Sequence, residues 1–264
     1  MAILSAFGRH RVLAFELTRR DIQGRYRGAS FGMLWSLISP FLLLLVYTLA
    51  FGFILKSRWP GTSGSTIEFA LILFAGLTVH AFFAECLVRA PLLIVGRSAY
   101  VKRVVFPIEI FGWTTVLAAT FHLMMNLLVL LLLNAWWSGQ VHATALLLPI
   151  VLIPLIVLSV GVVWMVSALG VYLRDIGQVA GVAATAMLFL SSAIVPLESI
   201  PESYRIVFEL NPLTLIIDQV RDVVIWGRLP DWSALSWYSA VACGFTAVAY
   251  GVFRRLQTGF ADVL

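Results

Sequence analysis

The sequence predicts an all-α integral membrane protein with six spans, and three observations carry that reading. Residues 33–55 hold no formal charge, and about 20 helical residues at about 1.5 Å each already cross a hydrocarbon core of about 30 Å. Hydrophobic residues make up 61% of the 264 and charged ones only 12%, against roughly 25% charged in soluble domains. The mean hydropathy of +0.98 is more than a soluble core of this size could bury. Finally, Arg19, Arg20, Arg25 and Arg27 stand directly before the first apolar run, and such a block resists translocation and holds the start of the chain in the cytoplasm.

Apolar runs place the spans at 33–55, 67–94, 108–133, 143–173, 176–197 and 232–253, which leaves both termini cytoplasmic. Charge counting tests this. Thirteen basic residues (Arg9, Arg11, Arg19, Arg20, Arg25, Arg27, Arg89, Arg97, Lys102, Arg103, Arg174, Arg254, Arg255) then fall inside, and five (Lys56, Arg58, Arg205, Arg221, Arg228) fall outside. The first apolar run starts too late and is too long for a cleavable signal peptide. Cys86 and Cys243 lie in or beside spans and read as small core residues. The net charge of +5 belongs to the cytoplasmic segments and does not call for nucleic acid. The chain reads as one transmembrane domain: 1–32 an interface helix, 33–197 five spans, 198–231 an outer helix pair, 232–253 the sixth span, 254–264 a cytoplasmic tail.

Within 1–32, Leu4, Phe15, Ile22 and Tyr26 share one helical face, with Arg9, Glu16, Arg20 and Arg27 opposite. A basic amphipathic helix of this kind rests among lipid headgroups; a flexible basic tail is the alternative. Gly24, Gly28 and Gly32 recur every fourth residue and serve either close packing or a hinge into the first span. Glu85 and Arg89, four apart near the inner end of the second span, form an intrahelical ion pair. Gly177 and Gly181 open the fifth span with a face suited to a neighbouring helix. Residues 198–231 have the length of a span but carry nine charges, and Pro201 and Asn211-Pro212 divide them into two short helices. Asn211 is an N-cap with Pro212 at the first helical position, and Gly227 ends the second helix. There Leu213, Ile216, Ile217, Val220 and Val224 form an apolar stripe opposite Asp218, Arg221 and Asp222, as in a re-entrant or interfacial pair on the outer side.

Several chemistries are excluded. A P-loop needs Gly-Lys-Ser/Thr, and the chain's lysines, Lys56 and Lys102, follow Leu55 and precede Arg103, so ATP hydrolysis must come from another polypeptide. Gly28-Ala29-Ser30-Phe31-Gly32 matches the hydrolase elbow formally, but lies between a basic surface segment and a span. His10, His80, His122 and His142 have no ligand spacing; His80 and His122 read as neutral imidazoles bonded between helices. Neither a metal nor a cofactor is expected in this chain.

The run Arg20-Asp21-Ile22-Gln23-Gly24-Arg25-Tyr26-Arg27-Gly28-Ala29-Ser30-Phe31-Gly32-Met33-Leu34-Trp35, continuing to Pro40, resembles the opening signature of the membrane subunit of type-2 ABC exporters for bacterial surface polysaccharides, with Phe31 in place of the usual Leu. Val104-Val105-Phe106-Pro107, Asn211-Pro212-Leu213 with Arg221, and the ending Phe260-Ala261-Asp262-Val263-Leu264 resemble it too. The resemblance implies a homodimer in the bacterial inner membrane, joined to two copies of a separate ATPase subunit that binds ATP and Mg. Contacts to that subunit are expected from Arg19, Arg20, Asp21, Arg97, Lys102, Arg103, Arg174 and Asp175. The implied cargo is a lipid-linked polysaccharide (O-antigen-like, capsular or teichoic), on a pathway built from the first and fifth spans. Phe41, Tyr47, Phe51 and Phe189 are its candidate aromatics, since rings stack on sugars. Arg25 and Arg27, close to the inner surface, are candidates for the lipid's diphosphate. Pro201, Asn211, Pro212, Asp218 and Arg221 would close the outer end. The competing readings are the same scaffold moving a drug or lipid, and a membrane enzyme acting on polyprenyl lipids, for which converging acids are missing.

Overall fold

A computed structural model describes residues 8–54, 59–60, 62, 64–102 and 106–264, with the backbone alone at 51, 52 and 54. The expected pathway ring of Phe51 and the expected contact Arg103 lie outside the described residues, as do Leu4, Lys56, Arg58, Val104 and Val105. All regular structure among the described residues is helical.

The first helix, α1 (Arg11–Tyr26), ends at a bend where Gly28 and Gly32 take φ of 86° and 48°. These values favour glycine, and no atom would lie within 4 Å of an added Cβ at either, so the two serve as a hinge rather than as a packing surface. A 3-10 turn over Gly32–Leu34 leads into α2 (Trp35–Tyr47), which continues as π turns over Thr48–Ile54. Next comes α3 (Thr66–Arg89), with Glu68 in its first turn and Arg89 in its last, both matched to the helix dipole. A single turn, α4 (Ser98–Val101), precedes α5 (Ile110–Ser138), which stops at Gly139 in the left-handed conformation, φ 70°. The 3-10 segment Ala143–Leu147 opens α6 (Leu148–Tyr172), and α7 (Ile176–Phe189) follows. Two short helices, α8 (Glu202–Glu209) and α9 (Pro212–Arg221), come before α10 (Trp232–Gln257) and α11 (Phe260–Val263).

Among the described residues, five helices are long and apolar enough to cross a membrane: Gly32–Ala50, Thr66–Arg89, Ile110–Ser138, Ala143–Tyr172 and Trp232–Gln257. The expected span 176–197 is helical only through α7, whose 14 residues make about 21 Å. Beyond it the chain turns at Ser191 and Ser192, and side chains from α9 take up backbone carbonyls that a continuing helix would have used. The charged segment does divide as its prolines and Asn211 imply. Asn211 caps α9 by accepting from the Leu213 N–H at 3.0 Å, and the π turns Asp222–Trp226 that prolong α9 end at Gly227, φ 65°.

At the centre, α3 is buried along most of its length and touches α2, α5, α6, α7 and α9, while α10 lies along α6 and α1 along α5. Bare backbone permits the closest approaches. Gly112 on α5 accepts the Trp164 indole of α6 against it, and that indole donates to the Glu109 carbonyl at 2.9 Å. The histidines do join helices: the His80 ring nitrogen lies 2.9 Å from the Ala184 carbonyl of α7. Face assignment on α1 differs from expectation. Ala14 and Thr18 are its buried residues and Phe15 is exposed, because the helix packs on α5 through its small side chains.

Candidate functional site

One end of the bundle gathers the C-terminal ends of α3, α6 and α10, the turn α4, and α11, with the Tyr172 hydroxyl donating to the Leu256 carbonyl at 2.9 Å. Here α1, α2, α3 and α5 enclose an open cavity of about 860 Å³. One wall is apolar and aromatic, with Trp35, Leu43, Phe74 and Phe82, and the deeper polar lining includes Ser39, Thr78 and Asn126.

Charge lines the cavity's side toward α1. Asp21 and Arg25 sit one turn apart on α1, as Glu85 and Arg89 do on α3, so each helix offers one acid and one base. Arg89 Nη2 donates to Asp21 Oδ1 at 2.8 Å, and its Nη1 to Glu85 Oε1 at 3.1 Å. Arg25 Nη1 donates to Glu85 Oε1 at 2.7 Å and lies 3.0 Å from His122 Nδ1 on α5; that ring nitrogen is also 3.1 Å from Glu85 Oε2. Glu85 and His122 are largely buried, so these contacts are worth more than exposed pairs. Tyr26 sets its ring edge-on to His122 at 6.1 Å, and burial pushes its phenol above the ordinary range. The i,i+4 spacing already paired Glu85 with Arg89. Asp21, Arg25 and His122 carried no mark that they would join them.

The other residues expected to meet an ATPase subunit are spread over the same end. Arg19, Arg20, Lys102, Arg174 and Asp175 are exposed. Arg97 instead folds back: its guanidinium lies 4.6 Å above the Phe111 ring, and burial lowers its pKa while nearby Asp21 raises it. Of the diphosphate candidates, Arg27 is exposed and Arg25 is engaged by Glu85. Among the candidate pathway rings, Phe41 and Phe189 are exposed, and half-buried Tyr47 packs into the cluster of Trp59, Phe69 and Ile72. Gly181 would have nothing within 4 Å of an added Cβ, so its small face is unmatched among the described residues.

At the opposite end, α8 and α9 meet the end of α7. Pro201 is exposed at the start of α8, whereas Asn211 is buried and donates to the Met187 and Leu190 carbonyls at 3.0 and 2.9 Å. The apolar stripe of α9 is buried as the helical pattern requires, but Arg221 does not stay on the polar face. It is 0% exposed and donates to the carbonyls of Ile72 (3.1 Å), Ser192 (2.8 Å) and Ala193 (3.0 Å) and to Asp218 Oδ1 (3.1 Å). The Trp59 ring covers the guanidinium at 4.4 Å, and Gly76 leaves the room beneath it. The arginine is buried because unused carbonyls at the end of α7 form a slot that its planar fork fills. The π turns after it are closed similarly: Thr144 donates to the Val223 carbonyl at 2.8 Å and Asn134 to that of Val224 at 3.0 Å.

A wholly helical bundle, among the described residues, with several long apolar helices defines a multi-span membrane protein, and its family makes it a transport subunit. Residues 13–225 match the ABC-2 type transporter family, and the chain belongs to it. It is 24% identical over 255 residues to the O-antigen export system permease protein RfbA of Myxococcus xanthus, covering 96% of this chain and 95% of that one. A Klebsiella pneumoniae protein of the same name is 22% identical over 249 residues, 94% and 93% of the two chains. The polysialic acid transport protein KpsM of Escherichia coli is 25% identical over 256 residues, 96% of both.

Proposed function

We propose that this chain is the membrane subunit of an ATP-driven exporter that carries a lipid-linked polysaccharide from the cytoplasm to the outer side of the inner membrane. The observation that carries the reading is near full-length similarity to permeases named for O-antigen and polysialic acid, rather than a match to the family's core alone. In this arrangement α7, the irregular chain and 3-10 turn (Leu197–Ser199) after it, α8 and α9 together make the fifth crossing and its re-entrant outer pair, and both termini are cytoplasmic. Two copies enclose the pathway, with Phe41 and Phe189 among the exposed rings available to sugars. Two copies of a separate subunit bind ATP and Mg and dock against Arg19, Arg20, Lys102, Arg174 and Asp175, which are exposed at one end. Arg27, with Arg25 beside it at the cavity mouth, supplies the charge for the lipid diphosphate.

The test is complementation. In a strain lacking its own polysaccharide permease, this chain with its partner ATPase restores labelled glycan at the cell surface, and R25Q/R27Q abolishes it while the complex still assembles. Efflux of a drug or lipid without surface glycan would overturn the cargo assignment, and normal export by R25Q/R27Q would remove the diphosphate role.

A further inference from the structure

The proposed motor acts at the end where α1 lies, so a push on α1 must reach the spans by some route. The backbone is a poor one: between α1 and α2 it passes Gly28 and Gly32, both at positive φ and free of neighbours. Apolar packing is a slighter one: along α5, α1 buries the small residues Ala14 and Thr18 and sets only Leu17 half-buried against the core, while Val12 and Phe15 are exposed. What joins α1 firmly to the membrane body is the charge ladder of Asp21 with Arg89 and Arg25 with Glu85 and His122. Its far side stands on α3, the central helix, and about 26 Å along that helix from Arg89 the Ile72 carbonyl receives Arg221 of α9.

We infer that this ladder is the element that carries displacement of α1 into the spans, which makes Arg89 and Glu85 positioning residues for transport. Asp21 then acts chiefly within the chain, as the arm by which α1 turns α3, while Arg25 both braces that arm through Glu85 and adds its charge beside Arg27. Because α3 touches α2, α5, α6, α7 and α9, movement delivered to it reaches the pathway helices and the opposite end together. The inference rests on the proposed docking of a motor beside α1.

A double-mutant cycle in the reconstituted complex tests it, using D21N, R89Q and D21N/R89Q with R89K as the conservative variant. Export and ATP hydrolysis are both normalised to assembled complex. R89Q lowers export about tenfold, the scale of a typical coupling between sites, while ATP hydrolysis stays within about twofold. The double variant exports no less than the poorer single one, because the pair acts as a unit. R89K keeps the charge and exports more than R89Q. Export at the wild-type rate in R89Q, losses that multiply in the double variant, hydrolysis that falls in step with export, or R89K equal to R89Q would each overturn the inference. A cargo-independent reading comes from spin labels at positions 19 and 88: the α1–α3 distance distribution broadens in R89Q, and an unchanged distribution would also overturn it. A wild-type complex that hydrolyses ATP and exports no glycan would count against the cargo alone.

Discussion

Replacing Arg221 with methionine is the severest single test of how this molecule is held together. Methionine roughly fills the volume, so the loss is mainly electrostatic. The Ile72, Ser192 and Ala193 carbonyls and the Asp218 carboxylate lose their donor together, in a site where the arginine itself is 0% exposed. The three buried carbonyls lose about 1 kcal/mol each. Asp218, whose side chain is 41% exposed, is left to water and adds at most about 1 kcal/mol. Taking about 4 kcal/mol, the midpoint of heat-induced aggregation in detergent falls by about 8–16 °C for a chain of this length. R221K, which keeps the charge but has no planar fork to reach separate carbonyls, loses about half as much. The assay is size-exclusion of heated, detergent-solubilised protein. A midpoint for R221M within about 2 °C of wild type, against that shift, would show that the slot does not hold α9 to α3 and α7 and would refute the reasoning.

Other expectations concern different parts of the bundle. G112A places a methyl 2.5 Å from Trp164 Nε1, so the indole must shift and its bond to the Glu109 carbonyl is lost; about 1–3 kcal/mol should be visible in the same melting assay. Asn134→Leu leaves the Val224 carbonyl unpaired near the π turns, for about 1–3 kcal/mol, with Thr144→Val as its companion. Burial raises the pKa of Asp222, with Arg228 partly opposing. A raised acid favours the folded state while protonated, and that contribution is lost as pH rises through the carboxylate range. D222N should therefore melt higher than wild type at neutral pH, with the gap closing as the solution is acidified below that range.

Much of the fold was open to sequence reading because it is set locally. Long, mostly apolar runs identify α2, α3, α5, α6 and α10, and Asn211-Pro212 and Gly227 mark the bounds of α9 and its π turns by capping chemistry alone. The short α7 was not legible. Apolarity continues to Leu197, and hydropathy registers side chains without asking what the backbone carbonyls are bonded to. Arg221 illustrates the same gap: a helical projection sets it beside Asp218 and Asp222, while its true surroundings are supplied by residues 28, 29 and 149 positions away. At the charge ladder, Glu85 and Arg89 share a helix and could be paired by counting. Asp21 lies 68 residues from Arg89, and only tertiary packing of α1 brings the two into contact.

The bonds from Asn211 and Arg221 to the carbonyls after α7 also restrict how a passage can form. Hydrocarbon offers no substitute donor, so pulling α9 away from that stretch would strand several peptide oxygens in lipid. On the proposed two-copy pathway, α9 and the tip of α7 would therefore travel as one block, and widening would have to occur along its outer flank, where Val179, Val182 and Phe189 are exposed.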